Sequence, residues 1–143
     1  MVRRGLLALT LLAVAGLFPA LAADDSNALK TIMQGLRDNL VEVTDGLLSG
    51  NRDQLAAGAD SIADHPHIPP ADVQLIAAGL GPEMAAFKQF DMLVHESALK
   101  IAAAARAGDN EAAIAAYRKM TDGCFACHSG YKDRVSTILH PSP

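Results

Sequence analysis

Four breaks divide the chain beyond residue 24 into helical segments, and they limit its possible folds. Gly50-Asn51 and Gly108-Asp109 each place a helix-ending glycine before a residue that can cap the next helix. The stretch 64–70 holds three prolines, and Gly81-Pro82 makes the fourth break. Between the breaks alanine, the strongest helix former, is frequent. The pattern predicts an all-α fold, and the short connections predict an antiparallel four-helix bundle.

The predicted helices carry apolar residues at helical spacing. The first begins with Asp25 or Ser26 as its cap and ends at Ser49. A second begins at Asn51, 71–80 predicts one or two helical turns, and a long helix runs over 82–107 before the last helix. The seam predicted on the first helix is Leu29, Met33, Leu36, Leu40, Val43 and Leu47. The inward residues predicted further on are Met84, Phe87, Val94, Ala98 and Ile101, then Ile114, Tyr117, Met120, Cys124, Cys127, Tyr131 and Ile138.

The N-terminus predicts export. Arg3 and Arg4 precede an apolar run over 6–18, and small residues follow at 20–23, which is typical of a cleaved signal peptide at 1–22. The run is short for a membrane span, so we expect no stable membrane anchor and a periplasmic domain over 23–143. Cleavage would take the formal charge from −4 to −6. An acidic surface argues against nucleic acid or anionic lipid as partners.

The chain's two cysteines stand in the stretch CFACH, at 124–128. On a helix Cys124 and Cys127 share one face, and His128 lies one turn beyond Cys124. Covalent attachment of haem needs this layout, because two thiols must reach two vinyl groups while an imidazole reaches the iron. The string C-x-x-C-H therefore predicts one covalently bound haem c, with His128 as an iron ligand.

Other uses of these residues fit the sequence less well. A zinc site needs a fourth ligand or water, and the remaining histidines are scattered along the chain. A thioredoxin-like dithiol belongs beside a βαβ pattern, which the sequence lacks. A disulfide between residues three apart in a helix has awkward geometry. Haem attachment is the favoured interpretation, with the dithiol and the zinc site as the alternatives.

With CFACHSGYK at 124–132 in its last predicted helix, the chain resembles the class II cytochromes c, the cytochrome c′ family. The resemblance covers roughly residues 26–135. It implies a four-helix bundle around the haem, Cys124 and Cys127 as the thioether residues and His128 as the proximal ligand. Lys132 stands where that family usually has arginine. The resemblance also implies that two copies can form a homodimer.

The residue on the other face of the iron decides the predicted function. Met33 lies near the position of the family's distal residue, and a thioether ligand there would give a low-spin electron carrier. Methionine is also an ordinary core filler, and His95 is a second candidate ligand. If no side chain binds, the iron is open to nitric oxide or carbon monoxide. The inward-facing Tyr131 can contact the porphyrin.

We therefore predict one-electron transfer, with gas binding as the alternative. The protein is not expected to be an enzyme with a substrate of its own, because the haem supplies the redox chemistry and the fold supplies its binding and orientation. The sequence does not identify the redox partner protein.

Overall fold

A computed structural model describes residues 27–141, which form an all-helical domain without β-strands. The predicted caps Asp25 and Ser26 and the predicted signal peptide lie outside these residues. The five α-helices are α1 (Ala28–Ser49), α2 (Arg52–Ala63), α3 (Pro70–Leu80), α4 (Met84–Ala107) and α5 (Asn110–Leu139). Within residues 27–141, no helix combines the length and the apolar character that a membrane crossing requires.

The helix ends follow the predicted breaks. Gly50 and Gly108 adopt left-handed φ angles of 72° and 73°, which favour glycine at a helix C-terminus. Asn51 caps α2 by accepting a hydrogen bond of 3.2 Å from the Gln54 amide. Asp109 caps α5 in the same way, accepting a bond of 2.9 Å from the Ala112 amide. These predictions are confirmed.

The two glycine turns lie together at one end of the molecule, which we call the turn end. The Arg52 guanidinium, at the start of α2, lies next to Gly108. Because α1 runs toward this end and α5 begins there, the two helices are antiparallel. The closest helix packing is between α4 and α5, between α1 and α2, and between α2 and α4. The prediction of a helical bundle is confirmed.

The core consists of two separate clusters. The turn-end cluster joins α1, α2, α4 and the first half of α5, and its buried residues are Val43, Leu55, Ala56, Ala59, Ile62, Ala63, Ala98, Ile101, Ala102, Ala104, Ala105, Ala113, Ala116 and Met120. The far-end cluster has Ile76, Leu80, Tyr131 and Val135 at its centre. Small alanines let the backbones approach closely at the turn end, while larger side chains fill the far end.

Two segment boundaries differ from the sequence predictions. The stretch expected to form one or two turns is the eleven-residue helix α3, because Pro70 suits its first position and Asp72 favours its N-terminus. Residues Gly81–Glu83 form a 3₁₀ turn, so the long helix begins at Met84 rather than at Pro82. The 3₁₀ turn accommodates Gly81 at φ 54°.

Two predicted inward positions are exposed instead. Ile114 is 41% exposed, and Met33 is 38% exposed while its neighbour Ile32 is buried. The seam spacing is a heptad pattern, whereas the N-terminal half of α1 extends beyond α2, which ends at Ala63. There Ile32 lines a pocket together with the 64–69 loop, whereas Met33, about 100° around the helix, does not.

Candidate functional site

The CFACH stretch lies within the unbroken helix α5, with its two thiols on one side. Cys124 and Cys127 are half-buried and not bonded to each other, whereas His128 is exposed. Phe125, between the cysteines, is 72% exposed. The predicted arrangement is therefore present: two thiols three residues apart, with an imidazole one turn after the first.

The surroundings keep the thiols neutral. Burial raises the pKa of the Cys124 thiol. Burial is also the main cause that raises the pKa of Cys127, and the nearby Cys124 and the Asp91 carboxylate raise it further. Reactive dithiols have a lowered pKa, because the thiolate is the nucleophile. The environment of these two cysteines instead favours the neutral thiol.

Close packing against α4 orients this part of α5. A β-carbon placed on Gly123 would lie 3.0 Å from Leu93 Cδ2, so the absence of a side chain lets α4 and α5 approach. Cys127 packs against the far-end cluster, and Tyr131 stands one turn further on. Its ring meets Phe87 edge-on with centroids 5.6 Å apart, and Phe90 at 6.0 Å. These rings give the motif a rigid apolar border.

Lys132, the other residue predicted to lie near a haem, is exposed on α5. It follows Tyr131 directly and therefore points about 100° away from it around the helix. The structure does not test the predicted contacts of Tyr131 and Lys132 with a haem, and both stay predictions.

On its other side α5 stands apart from α1. The backbones of these two helices approach each other at no more than isolated points. A hydrogen bond of 2.9 Å joins the Tyr117 hydroxyl to Thr44 Oγ1, so a tyrosine side chain spans the distance between them. We call the space between α1 and α5, on the far-end side of this bond, the α1–α5 cleft.

The same hydrogen bond fixes which residues face each other across the cleft. Met33 precedes Thr44 by eleven residues, and His128 follows Tyr117 by eleven residues. Eleven residues make about three helical turns, or about 16 Å, and return to nearly the same face. Because α1 and α5 are antiparallel, both steps lead away from the turn end. This helical spacing puts Met33 and His128 at about the same level along the two helices.

Two histidines join α4 to the end of α2 and to the 64–69 loop, instead of forming part of the cleft. His95 Nδ1 donates a hydrogen bond of 3.0 Å to the Ala63 carbonyl, at the end of α2. The His65 side chain is only 14% exposed, with Nε2 3.5 Å from Asp91 Oδ1 and Nδ1 2.9 Å from the Pro66 carbonyl. The His65 side chain is thus mostly buried although it lies in a proline-rich loop. His95, the second candidate ligand in the sequence, here bonds to a backbone carbonyl.

Sequence reasoning missed the roles of His65, Asp91 and Thr44. His65 and Asp91 are 26 positions apart, and no local pattern links them. Tyr117 lies at a predicted inward position, whereas Thr44 lies outside the predicted seam of α1, so the sequence indicates only one member of this pair.

In residues 27–141, no group of three or more Cys, His, Asp and Glu side chains lies close enough together to hold a metal ion. A scan against protein families, a search of curated proteins and a search of solved structures each returned no match to this chain.

Proposed function

We propose that this chain is an exported class II c-type cytochrome that binds one haem covalently and transfers single electrons. Cys124 and Cys127 form the thioether bonds, His128 is the proximal ligand, and Met33 is the distal ligand. The register of α1 against α5 is the observation that carries the proposal. It brings the one methionine of the predicted seam level with the histidine of the attachment motif.

The donor set and its setting fit a haem. Two neutral, half-buried thiols and an exposed imidazole lie along one helix that borders a cleft. Closely packed helices have axes about 8–10 Å apart, which leaves no room for a planar cofactor between them. α1 and α5 approach each other less closely than the other neighbouring helices do, so a haem would lie between these two, bordered by the aromatic rings of the far-end cluster.

Each residue then has one task. The bound haem supplies the one-electron redox chemistry. The thiols fix its position on α5, His128 binds the iron from α5, and Met33 supplies a soft sulfur donor from α1. Tyr131 and its neighbouring rings exclude water from the cofactor's edge. With a ligand from each helix bound to the iron, a gas could bind only after one of them is released.

Absorption spectra of the periplasmically expressed protein test the proposal. We expect a low-spin spectrum in both oxidation states, a weak sulfur-to-iron band in the far red of the ferric form, and a ferrous form that binds carbon monoxide only slowly, because Met33 must first be released. A high-spin spectrum that shifts with carbon monoxide would contradict distal ligation and support gas binding. A protein without any haem band would support the dithiol.

Two variants separate attachment from ligation. Replacing both cysteines, C124S with C127S, should abolish covalent attachment of the haem. Haem that survives acid-acetone extraction of this variant would refute attachment through these two cysteines. Met33→Ala should convert the low-spin spectrum to high-spin. Met92→Ala, at an exposed methionine of α4, is the matched control and should leave the spectrum unchanged.

A further inference from the structure

The Thr44–Tyr117 hydrogen bond has a defined direction. Thr44 Oγ1 donates its single hydrogen to the Leu40 carbonyl, at 2.8 Å. It can therefore only accept from Tyr117, whose hydroxyl is the donor across the 2.9 Å contact. Both side chains are part-buried, and Tyr117 packs against the turn-end cluster. The bond is thus shielded in part from water, which strengthens it.

This bond is the only side-chain hydrogen bond between α1 and α5 among residues 27–141. The other contacts of α1 are apolar or between backbones. Leu36, Leu40 and Leu47 pack against the turn-end cluster, Leu29 packs against the far-end cluster, and Gly46 lies against the Leu55 backbone. Apolar contacts are not directional, whereas the Thr44–Tyr117 bond requires two particular atoms to meet.

We propose that Thr44 and Tyr117 are a positioning pair that sets the register of α1 against α5. By fixing one point where the two helices meet, the pair holds Met33 level with His128 three turns away. The inference rests on the proposed function, since it concerns the bond between the Met33 sulfur and the iron. Neither residue contacts the reacting atoms.

The test measures how often the distal face opens. Carbon monoxide can bind ferrous iron only while Met33 is released, so its binding rate reports the open population. Tyr117→Phe removes the donor, Thr44→Val removes the acceptor, and Thr44→Ser keeps a hydroxyl. We expect each of the first two variants to raise the carbon monoxide binding rate about fivefold. That factor corresponds to one hydrogen bond of about 1 kcal/mol.

Two further results identify a pair acting together. The double variant Y117F/T44V should bind carbon monoxide no faster than either single variant, because the same bond is lost. Thr44→Ser should stay within twofold of the wild-type rate. Thr137→Val is the matched control, because Thr137 bonds only the Asp133 carbonyl within α5. Its rate should equal that of the wild type.

A purely structural role gives a different outcome. If Y117F and T44V lower the unfolding temperature but leave the carbon monoxide rate within twofold of the wild type, the inference is overturned. Additive effects in the double variant would overturn it as well. A low-spin wild type combined with either result would leave the proposed function standing. A high-spin wild type would overturn both.

Discussion

At the scale of the residue, a β-carbon has opposite consequences at two glycines of α1. At Gly46 it would lie 2.6 Å from the Leu55 amide nitrogen and 2.7 Å from Leu55 Cα, while Gly35 has no atom within 4 Å of that position. We expect Gly46→Ala to reduce the free energy of unfolding by about 1–3 kcal/mol, because a backbone cannot move aside as a side chain can. Denaturant unfolding measures this change.

Gly35→Ala is the matched control for that prediction. It adds the same methyl group to the same helix in open space, and alanine favours a helix over glycine by about 1 kcal/mol. The unfolding free energy should therefore rise by up to that amount. Equal stability of the two variants would show that α1 and α2 are not in close backbone contact at Gly46.

The chemistry-bearing residues of the site differ in how far the sequence predicts them. Cys124, Cys127 and His128 follow from one short string, because their mutual geometry is that of a single helix. Met33 follows from a seam pattern, but its place opposite His128 depends on the register between two helices. The burial of His65 depends on the path of a proline-rich loop across α4, which no local periodicity reports.

At the scale of the element, helix ends were predictable wherever a side chain or a glycine determines them. Asn51 and Asp109 cap their helices through their own side chains, and Gly50 and Gly108 supply the left-handed conformation. The stretch around Gly81 was less predictable. Glycine followed by proline can end one helix, begin another or form a 3₁₀ turn, and the packing of α3 against α5 decides among them.

An ion pair joins the 3₁₀ turn before α4 to the last turns of α5. Arg134 donates two hydrogen bonds to the Glu83 carboxylate, at 2.8 and 2.7 Å. This contact lowers the pKa of Glu83 below its ordinary value of 4.5. Because the folded pKa is the lower one, the stabilisation is present above the ordinary pKa and disappears as the pH falls through the folded value. The pair is exposed, so the effect is small.

We therefore expect Glu83→Gln to lower the unfolding temperature slightly at pH 7, and to leave it equal to that of the wild type once the pH is low enough to protonate Glu83 in the folded protein. Thermal unfolding between pH 7 and pH 2 measures the difference. Glu96→Gln, which also removes an exposed carboxylate near the middle of α4, serves as the control. A difference between E83Q and the wild type that is constant with pH would refute the role of the ion pair.

At the scale of the whole molecule, the two core clusters have unequal support. The turn-end cluster is closed by four helices, and most of its buried residues are alanines. The N-terminal half of α1, over residues 28–39, lines a pocket with the end of α2 and the 64–69 loop, and packs through Leu29 against the far-end cluster. In the proposed function, the bond between Met33 and the iron fastens this segment to α5.

Loss of the haem should therefore loosen one part of the fold selectively. In the C124S/C127S variant we expect the amides of residues 28–39 to exchange hydrogen faster than in the loaded wild type. Amides of α2 and of residues 98–105 of α4 should remain protected, since the buried side chains of both segments belong to the turn-end cluster. Native-state hydrogen exchange followed by mass spectrometry of peptides resolves the three segments.

The variant Met33→Ala, with the haem still attached, tests whether the distal bond or contact with the porphyrin protects residues 28–39 from exchange. If the distal bond fastens residues 28–39, this variant should exchange there as fast as the double-serine variant, although the haem still fills the cleft. If contact with the porphyrin is sufficient, exchange in M33A should match the wild type. Equal exchange of residues 28–39 in all three proteins would mean that α1 is held by its polypeptide contacts alone. The cofactor would then have no part in closing the far end of the bundle.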